Sequence, residues 1–231
     1  MFVVRRVAIV LAAGAGRRLG ADEPKAFLHV GGRSMLSLAA AAAAASPAVD
    51  GLIVTAPEGW EQRARPLLEG LAKPVVIIGG GLTRHASVRA AIAALSDDVE
   101  AVACHDAARP FVPPDLFTAV FDALNGEVDG VIPVMPILDT IKRVQSGVVV
   151  ETVPREQLGQ AQTPQAFRIG PFLDAHARAA GAGLDFTDDA AVLEWAGYRV
   201  GTVAGDPGNV KITTIGDLAS AEARMSGDLL G

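Results

Sequence analysis

The chain has 231 residues, half of them hydrophobic, and 20 Lys and Arg against 26 Asp and Glu give it a net charge of −6. That length and apolar content supply one large domain or two small ones with a sizeable core, and exclude a peptide-sized module or a globally disordered chain. The acidic balance excludes a generic nucleic-acid coat protein, which needs a basic excess, but leaves room for a small anionic ligand held by a few local cations.

Short β-branched runs alternate with helix-like segments along the chain. A first strand is predicted over residues 3–11, followed by a helix over 34–45, whose alanine run reads as a tightly packed helix. Strands at 52–55, 75–78, 99–104 and 128–134 then alternate with helices at 60–71, 83–95 and 114–124. Their hydrophobicity is continuous rather than alternating, as in strands covered on both faces, so the fold class is α/β with a doubly wound, mostly parallel sheet. The one cysteine, Cys104, lies in an apolar run and reads as a buried free thiol. It excludes a disulfide within the chain and a Cys-based zinc site.

The alternation breaks near Pro136. Two β-rich runs, 140–144 and 147–153, surround Gln145-Ser146-Gly147 and predict a hairpin. It is either an arm that packs on a second copy or an edge hairpin of the same domain. Helices at 171–180 and 188–195, strands at 199–203 and 210–213, and a last helix at 215–225 complete the chain. One domain over residues 1–231, with an arm at about 138–157, is the simplest organisation. No apolar run reaches the about 20 residues of a membrane helix, and no signal peptide is expected, so the expectation is a soluble, cytoplasmic protein with neither membrane nor nucleic-acid partner.

The most informative segment follows the first strand: Leu11-Ala12-Ala13-Gly14-Ala15-Gly16-Arg17-Arg18-Leu19-Gly20, then Pro24-Lys25. Open α/β sheets bind ligands at the carboxyl ends of their strands, and small residues there let backbone N–H groups approach phosphate oxygens. A dinucleotide fingerprint would need glycine where Leu19 stands and an acid near the end of the second strand, where Thr55 and Ala56 stand. A P-loop would need Gly-Lys-Ser/Thr at a spacing this loop lacks. Alone, the loop supports either a nucleotide or sugar-phosphate site, or a tight surface loop with solvated arginines.

Further elements follow in order: Gly79-Gly80-Gly81 with Arg84 and Ser87-Val88, His105-Asp106-Ala107-Ala108-Arg109-Pro110, Asp139-Thr140, Thr163-Pro164-Gln165, Thr187-Asp188-Asp189 and Asn209-Val210-Lys211. From Val7 to about Leu218 this set resembles the 2-C-methyl-D-erythritol 4-phosphate cytidylyltransferase family, within the nucleotide-diphospho-sugar transferase-like fold. The related ribitol-5-phosphate cytidylyltransferases tend toward Gly-Gly where this chain has Ala13-Gly14 and vary the residues at Ala107-Ala108, so both positions favour the former family. Gly208 stands where many members carry an acidic residue.

The resemblance implies transfer of CMP from CTP to a polyol phosphate, with release of pyrophosphate, in isoprenoid precursor synthesis. A phosphomonoester is already ionised at neutral pH, so the work is positional and electrostatic. Arg18, Lys25 and Lys211 would stabilise charge at the α-phosphate. Ala12, Ala13, Gly14, Ala15, Gly16, Gly81, Ser87, Asp106 and Ala107 would bind the nucleotide. Asp106 would also hold Mg²⁺ or another divalent cation, which needs few protein ligands. Arg109, Thr163 and Thr187 would hold the polyol phosphate, with Thr140 and Arg155 completing the partner's site in a homodimer formed through the arm. His105 reads as structural, since this reaction needs no base, and His29, His85 and His176 as ordinary residues. A non-catalytic nucleotide-binding regulator is the competing class. The length predicts no fused second enzyme of the same pathway.

Overall fold

A computed structural model describes residues 5–14 and 23–226. Its centre is an eight-stranded mixed sheet. The strands β1 (Arg6–Leu11), β4 (Gly51–Ala56), β5 (Val75–Gly79) and β6 (Ala101–Asp106) run parallel, with β1 between β4 and β6 and β5 outside β4. Two short strands, β2 (His29–Val30) and β3 (Arg33–Ser34), pair separately. On the other side of β6, β11 (Gln165–Arg168) runs antiparallel to both β6 and β7 (Gly130–Pro136). Strand β10 (Gly159–Ala161) is antiparallel to β7 further along, and β12 (Val200–Ala204) is parallel to it.

The helices cover both faces, which explains the continuous apolar runs. Ala8, Val10 and Ala12 face α1 (Met35–Ala45) and α4 (Pro114–Asp122), where Ala39, Ala40, Ala43, Phe117 and Phe121 are buried. The alternate residues Val7 and Ile9 face α3 (Arg84–Ile92), α5 (Ile169–Gly181) and α6 (Asp189–Ala196), through Val88, Phe172, Ala175, Val192 and Leu193. Cys104 is buried in that second layer with a free thiol. Among the described residues no helix is long and apolar enough to cross a membrane.

Three local expectations change. The stretch 60–71 holds only a short α2 (Glu61–Ala64) and then a 3₁₀ turn at Arg65–Leu68, because Pro66 has no N–H to continue the helix. Residues 210–213 form no strand: Ile212 N–H donates one bond to the Ala108 carbonyl at 2.8 Å, and Asp217 caps the N–H groups of Thr213 and Thr214. That segment is instead anchored by Ile212, buried with Val30, Met35 and Ala221, which docks α7 (Ile215–Ser226). Strands β10 and β11 were not expected, since Gln160, Gln162 and Pro164 interrupt any apolar pattern there. The predicted hairpin forms from β8 (Ile141–Gln145) and β9 (Val148–Val153), joined at Ser146 and Gly147, whose φ of 48° and 80° suit a two-residue turn. Its strands pair with each other as a separate two-stranded sheet and are largely exposed.

One buried bracket fixes the carboxyl end of β6. The His105 ring is fully buried, with Nε2 3.2 Å from the Arg109 carbonyl and Nδ1 3.1 Å from Thr163 Oγ1. The carbonyl can only accept, so Nε2 carries the proton. Nδ1 therefore accepts from the Thr163 hydroxyl, which in turn accepts from Asp106 N–H at 3.1 Å. Burial pushes the His105 pKa down from 6.5 to about 4, against the pull of Asp106. Between those values the unfolded chain takes the proton and the folded chain does not. Stability should therefore fall as pH drops from about 6.5 through about 4, by a limit on the order of 3 kcal/mol from this group. His85, also lowered by burial, adds to the fall. Urea melts across that range should show a shallower acid limb for His105→Asn than for the parent chain.

Candidate functional site

A cleft of about 350 Å³ opens at the carboxyl ends of β1 and β6, beside the first turn of α3. Ala13 and Gly14 line it after β1, Lys25 and Gly81 on the flanks, Asp106 at its base and Lys211 across from them. The structure thus brings together seven of the predicted residues, Ser87 included, from segments spread over most of the chain. Ala15, Gly16 and Arg18 lie outside the described residues.

The wall around Gly80 and Gly81 requires glycine. A Cβ on Gly80 would fall 2.3 Å from the Ala13 Cβ, and one on Gly81 2.3 Å from the Ala86 Cβ. Ser87 is buried and holds this wall in place: its hydroxyl donates to the Thr83 carbonyl at 3.0 Å and accepts from Gly81 N–H at 3.1 Å. Thr83 caps α3 by accepting from Ala86 N–H. Loop and helix start are therefore one unit.

Asp106 ends β6 with its side chain only 12% exposed. Its Oδ2 accepts from Lys211 Nζ at 2.6 Å, and its Oδ1 from Arg84 Nε at 3.2 Å. Burial would raise the carboxyl pKa, but Arg84 and Lys211 outweigh it and hold the group well below the usual carboxylate range. Arg84 also reaches Asp189, fully buried at the start of α6, with Nη2 2.7 Å from Oδ2. That contact is an ion pair too oblique to count as a hydrogen bond. Burial opposes the Arg84 charge, yet the carboxylates of Asp189 and Asp106 raise its pKa above the ordinary arginine value.

The remaining predicted residues lie elsewhere. Arg109 is buried and spent on backbone carbonyls, of Asn209 at 2.8 Å and Ala161 at 3.3 Å. Thr163 belongs to the bracket behind Asp106. Ala12 and Ala107 are buried in the core layer beneath the cleft. Thr187 is exposed just before α6, and Thr140 and Arg155 are exposed on either side of the hairpin, where Arg155 Nη1 donates to the Leu138 carbonyl.

Leu82, Thr83 and Thr213 line the cleft without having been singled out, and Leu11, Arg84 and Ala108, quoted within the motifs, line it without having been given a role. Arg84 had a legible signal. It is the first residue of a helix with no acid in its first turn, where a cation opposes the helix dipole and needs another partner. His176, expected to be ordinary, is buried with Nε2 3.5 Å from Asp189 Oδ1 and its ring edge-on to His85 at 4.8 Å.

Among the described residues no three His, Cys, Asp or Glu side chains cluster as a metal cage. Among the described residues the donor set at the cleft is one carboxylate, which fits a hard divalent cation that completes its shell with phosphate and water oxygens.

The chain spans about half the length of the curated relatives it matches. It is 44% identical over 225 residues to the bifunctional enzyme IspD/IspF of Rhodopseudomonas palustris, covering 96% of this chain and 56% of that protein. It is 42% identical over 224 residues to the enzyme of the same name from Mesorhizobium japonicum, covering 95% of this chain and 55% of that protein. Among solved structures, 2-C-methyl-D-erythritol 4-phosphate cytidylyltransferase from Thermus thermophilus superposes with a TM-score of 0.79 at 34% identity, covering 96% of this chain and 98% of that one. The 4-diphosphocytidyl-2C-methyl-D-erythritol synthase from Anaerococcus prevotii gives 0.85 at 28% identity, covering 96% and 99%. With the family profile matching residues 6–227, the chain belongs to the IspD family, 2-C-methyl-D-erythritol 4-phosphate cytidylyltransferase.

Proposed function

We propose that this chain transfers CMP from CTP to 2-C-methyl-D-erythritol 4-phosphate, releasing pyrophosphate, in isoprenoid precursor synthesis. The observation that carries the reading is the meeting of Lys25, Lys211 and Asp106 at one glycine-walled cleft. The acceptor phosphate oxygen attacks the α-phosphorus, and the bond to the pyrophosphate oxygen breaks. No proton needs to be removed, which agrees with the imidazole beside Asp106, that of His105, being buried and hydrogen-bonded at both nitrogens.

Lys25 and Lys211 hold phosphate oxygens and take up the charge that spreads in the transition state, with Arg18 as the third cation. Ala13 and Gly14, which line the cleft, would offer backbone to the triphosphate, and the family resemblance gives Ala12, Ala15 and Gly16 the same role. Gly81 and Ser87 shape the base and ribose pocket, where glycine leaves room that a Cβ would fill. Asp106, with Ala107 behind it, would hold Mg²⁺, which would supply positive charge to neutralise part of the phosphate charge. Arg109, Thr163 and Thr187 serve the polyol phosphate, the first two by shaping its pocket from beneath.

The hairpin supports a homodimer. Val144, Val148, Val149 and Val150 are each at least 50% exposed on it, a strip that a second copy would cover. Thr140 and Arg155 at its base then reach the partner's cleft. The expected result for Val144→Asp with Val149→Asp is a monomer in sedimentation, with a parental melting temperature and little turnover. A dimer with full activity would remove the arm from the assembly.

Turnover is tested by pyrophosphate release from CTP, with 2-C-methyl-D-erythritol 4-phosphate and ribitol 5-phosphate as parallel acceptors. The methylerythritol substrate should be used faster; faster use of ribitol 5-phosphate would reassign the acceptor. Lys25→Ala and Lys211→Ala should each lower kcat by about 10²–10³-fold, the cost of one electrostatic donor at a transition state, with a smaller effect on CTP affinity.

A further inference from the structure

We propose that Arg84, held from behind by Asp189, is a positioning residue that leaves Asp106 a single oxygen to share between Lys211 and a divalent cation. The inference rests on the Asp106 role proposed above. A guanidinium facing one carboxylate tends to fork both of its oxygens. Arg84 does not: Nε takes Asp106 Oδ1 at 3.2 Å, while Nη2 is turned to Asp189 Oδ2 at 2.7 Å. Asp106 Oδ2 is left to Lys211 at 2.6 Å, and that lysine side chain is 43% exposed and able to turn toward a ligand.

Asp189 is suited to the restraint because it cannot move away. Its side chain is 1% exposed, and its other oxygen faces His176 Nε2 at 3.5 Å. The start of α6 is fixed by Asp188, which accepts from Ala191 N–H at 3.0 Å and from Gln165 Nε2 at 2.8 Å. Gln165 Oε1 accepts from Ala190 N–H in return at 3.2 Å. The restraint therefore runs from α6 through Arg84 to the end of β6. Two anionic partners, Asp106 at 3.2 Å and Asp189 at 2.7 Å, hold the Arg84 guanidinium in place between them.

Two substitutions separate this role from a structural one. Arg84→Gln frees Oδ1, so Mn²⁺ titrated alone into the full chain, followed by water proton relaxation, should bind more tightly. Asp189→Asn releases Arg84 to fork both Asp106 oxygens, and Mn²⁺ should bind about tenfold more weakly, within the range for loss of a residue that orients a metal ligand. Both should lower kcat by about 10²-fold, as expected for a misplaced group, with the KM for CTP changed less than about threefold. Arg84→Lys keeps the charge but cannot span both carboxylates, so it should melt like the parent and still lose turnover; it serves if Arg84→Gln does not fold. Opposed Mn²⁺ shifts support the role even if the parent chain fails to use CTP, an outcome that would remove the cytidylyl reading alone. Shifts in the same direction, no Mn²⁺ binding by the parent, or full activity in Arg84→Lys would overturn it.

Discussion

The candidate site depends on a carboxylate held between two cations that the chain delivers from opposite directions. Asp106 stands at the end of a buried strand, Arg84 comes from 22 residues before it and Lys211 from 105 residues after it. Taking such a group out of water is costly unless it is paired, and here both oxygens are paired. The two cations hold the carboxyl pKa well below the usual carboxylate range, and the ionised group ties α3, β6 and the segment before α7 into one structure around the cleft.

Each of these elements is rigid for a separate reason. Strand β6 is braced by β1 on one side and β11 on the other, and its end is locked by the His105–Thr163–Asp106 chain of hydrogen bonds. The start of α3 is joined to Gly81 by Ser87. Lys211 is neighbour to Ile212, which has no exposure at all. Polar groups behind the cleft thus serve its geometry, and among the described residues the side chains that face ligand space stay few, as the proposed phosphate chemistry requires, where placement and charge matter more than proton transfer.

Much of this was legible in the sequence because it depends on local pattern. Runs such as Val7-Ala8-Ile9-Val10 announce a strand covered on both faces, and the small residues of Ala12 to Gly14 announce a loop that something approaches. Asp106 was legible from its place just past an apolar strand. What stayed hidden depends on pairing across sequence. Nothing near Arg84 shows that its partners are Asp106 and Asp189, although a cation in the first turn of a helix was a clue. Strand β10 was missed because its three residues are all exposed, and β11 because a glutamine fills an inward position; Gln165 is buried and used by Asp188 and Ala190. Residues 210–213 look like a strand but are shaped by Ile212 burial and the Asp217 cap. Arg109, singled out as a ligand contact, donates to the carbonyls of Asn209 and Ala161, partners that its own neighbours do not announce.

The proposed convergence of cations on one phosphorus is tested most directly by a crystal structure of the chain with CTP and Mg²⁺. The ammonium groups of Lys25 and Lys211 should lie within hydrogen-bond reach of the triphosphate oxygens, with the metal bound to Asp106 and Arg84 still bridging Asp106 to Asp189. A nucleotide seated away from the Gly81 wall, or lysines turned from the phosphates, would contradict it.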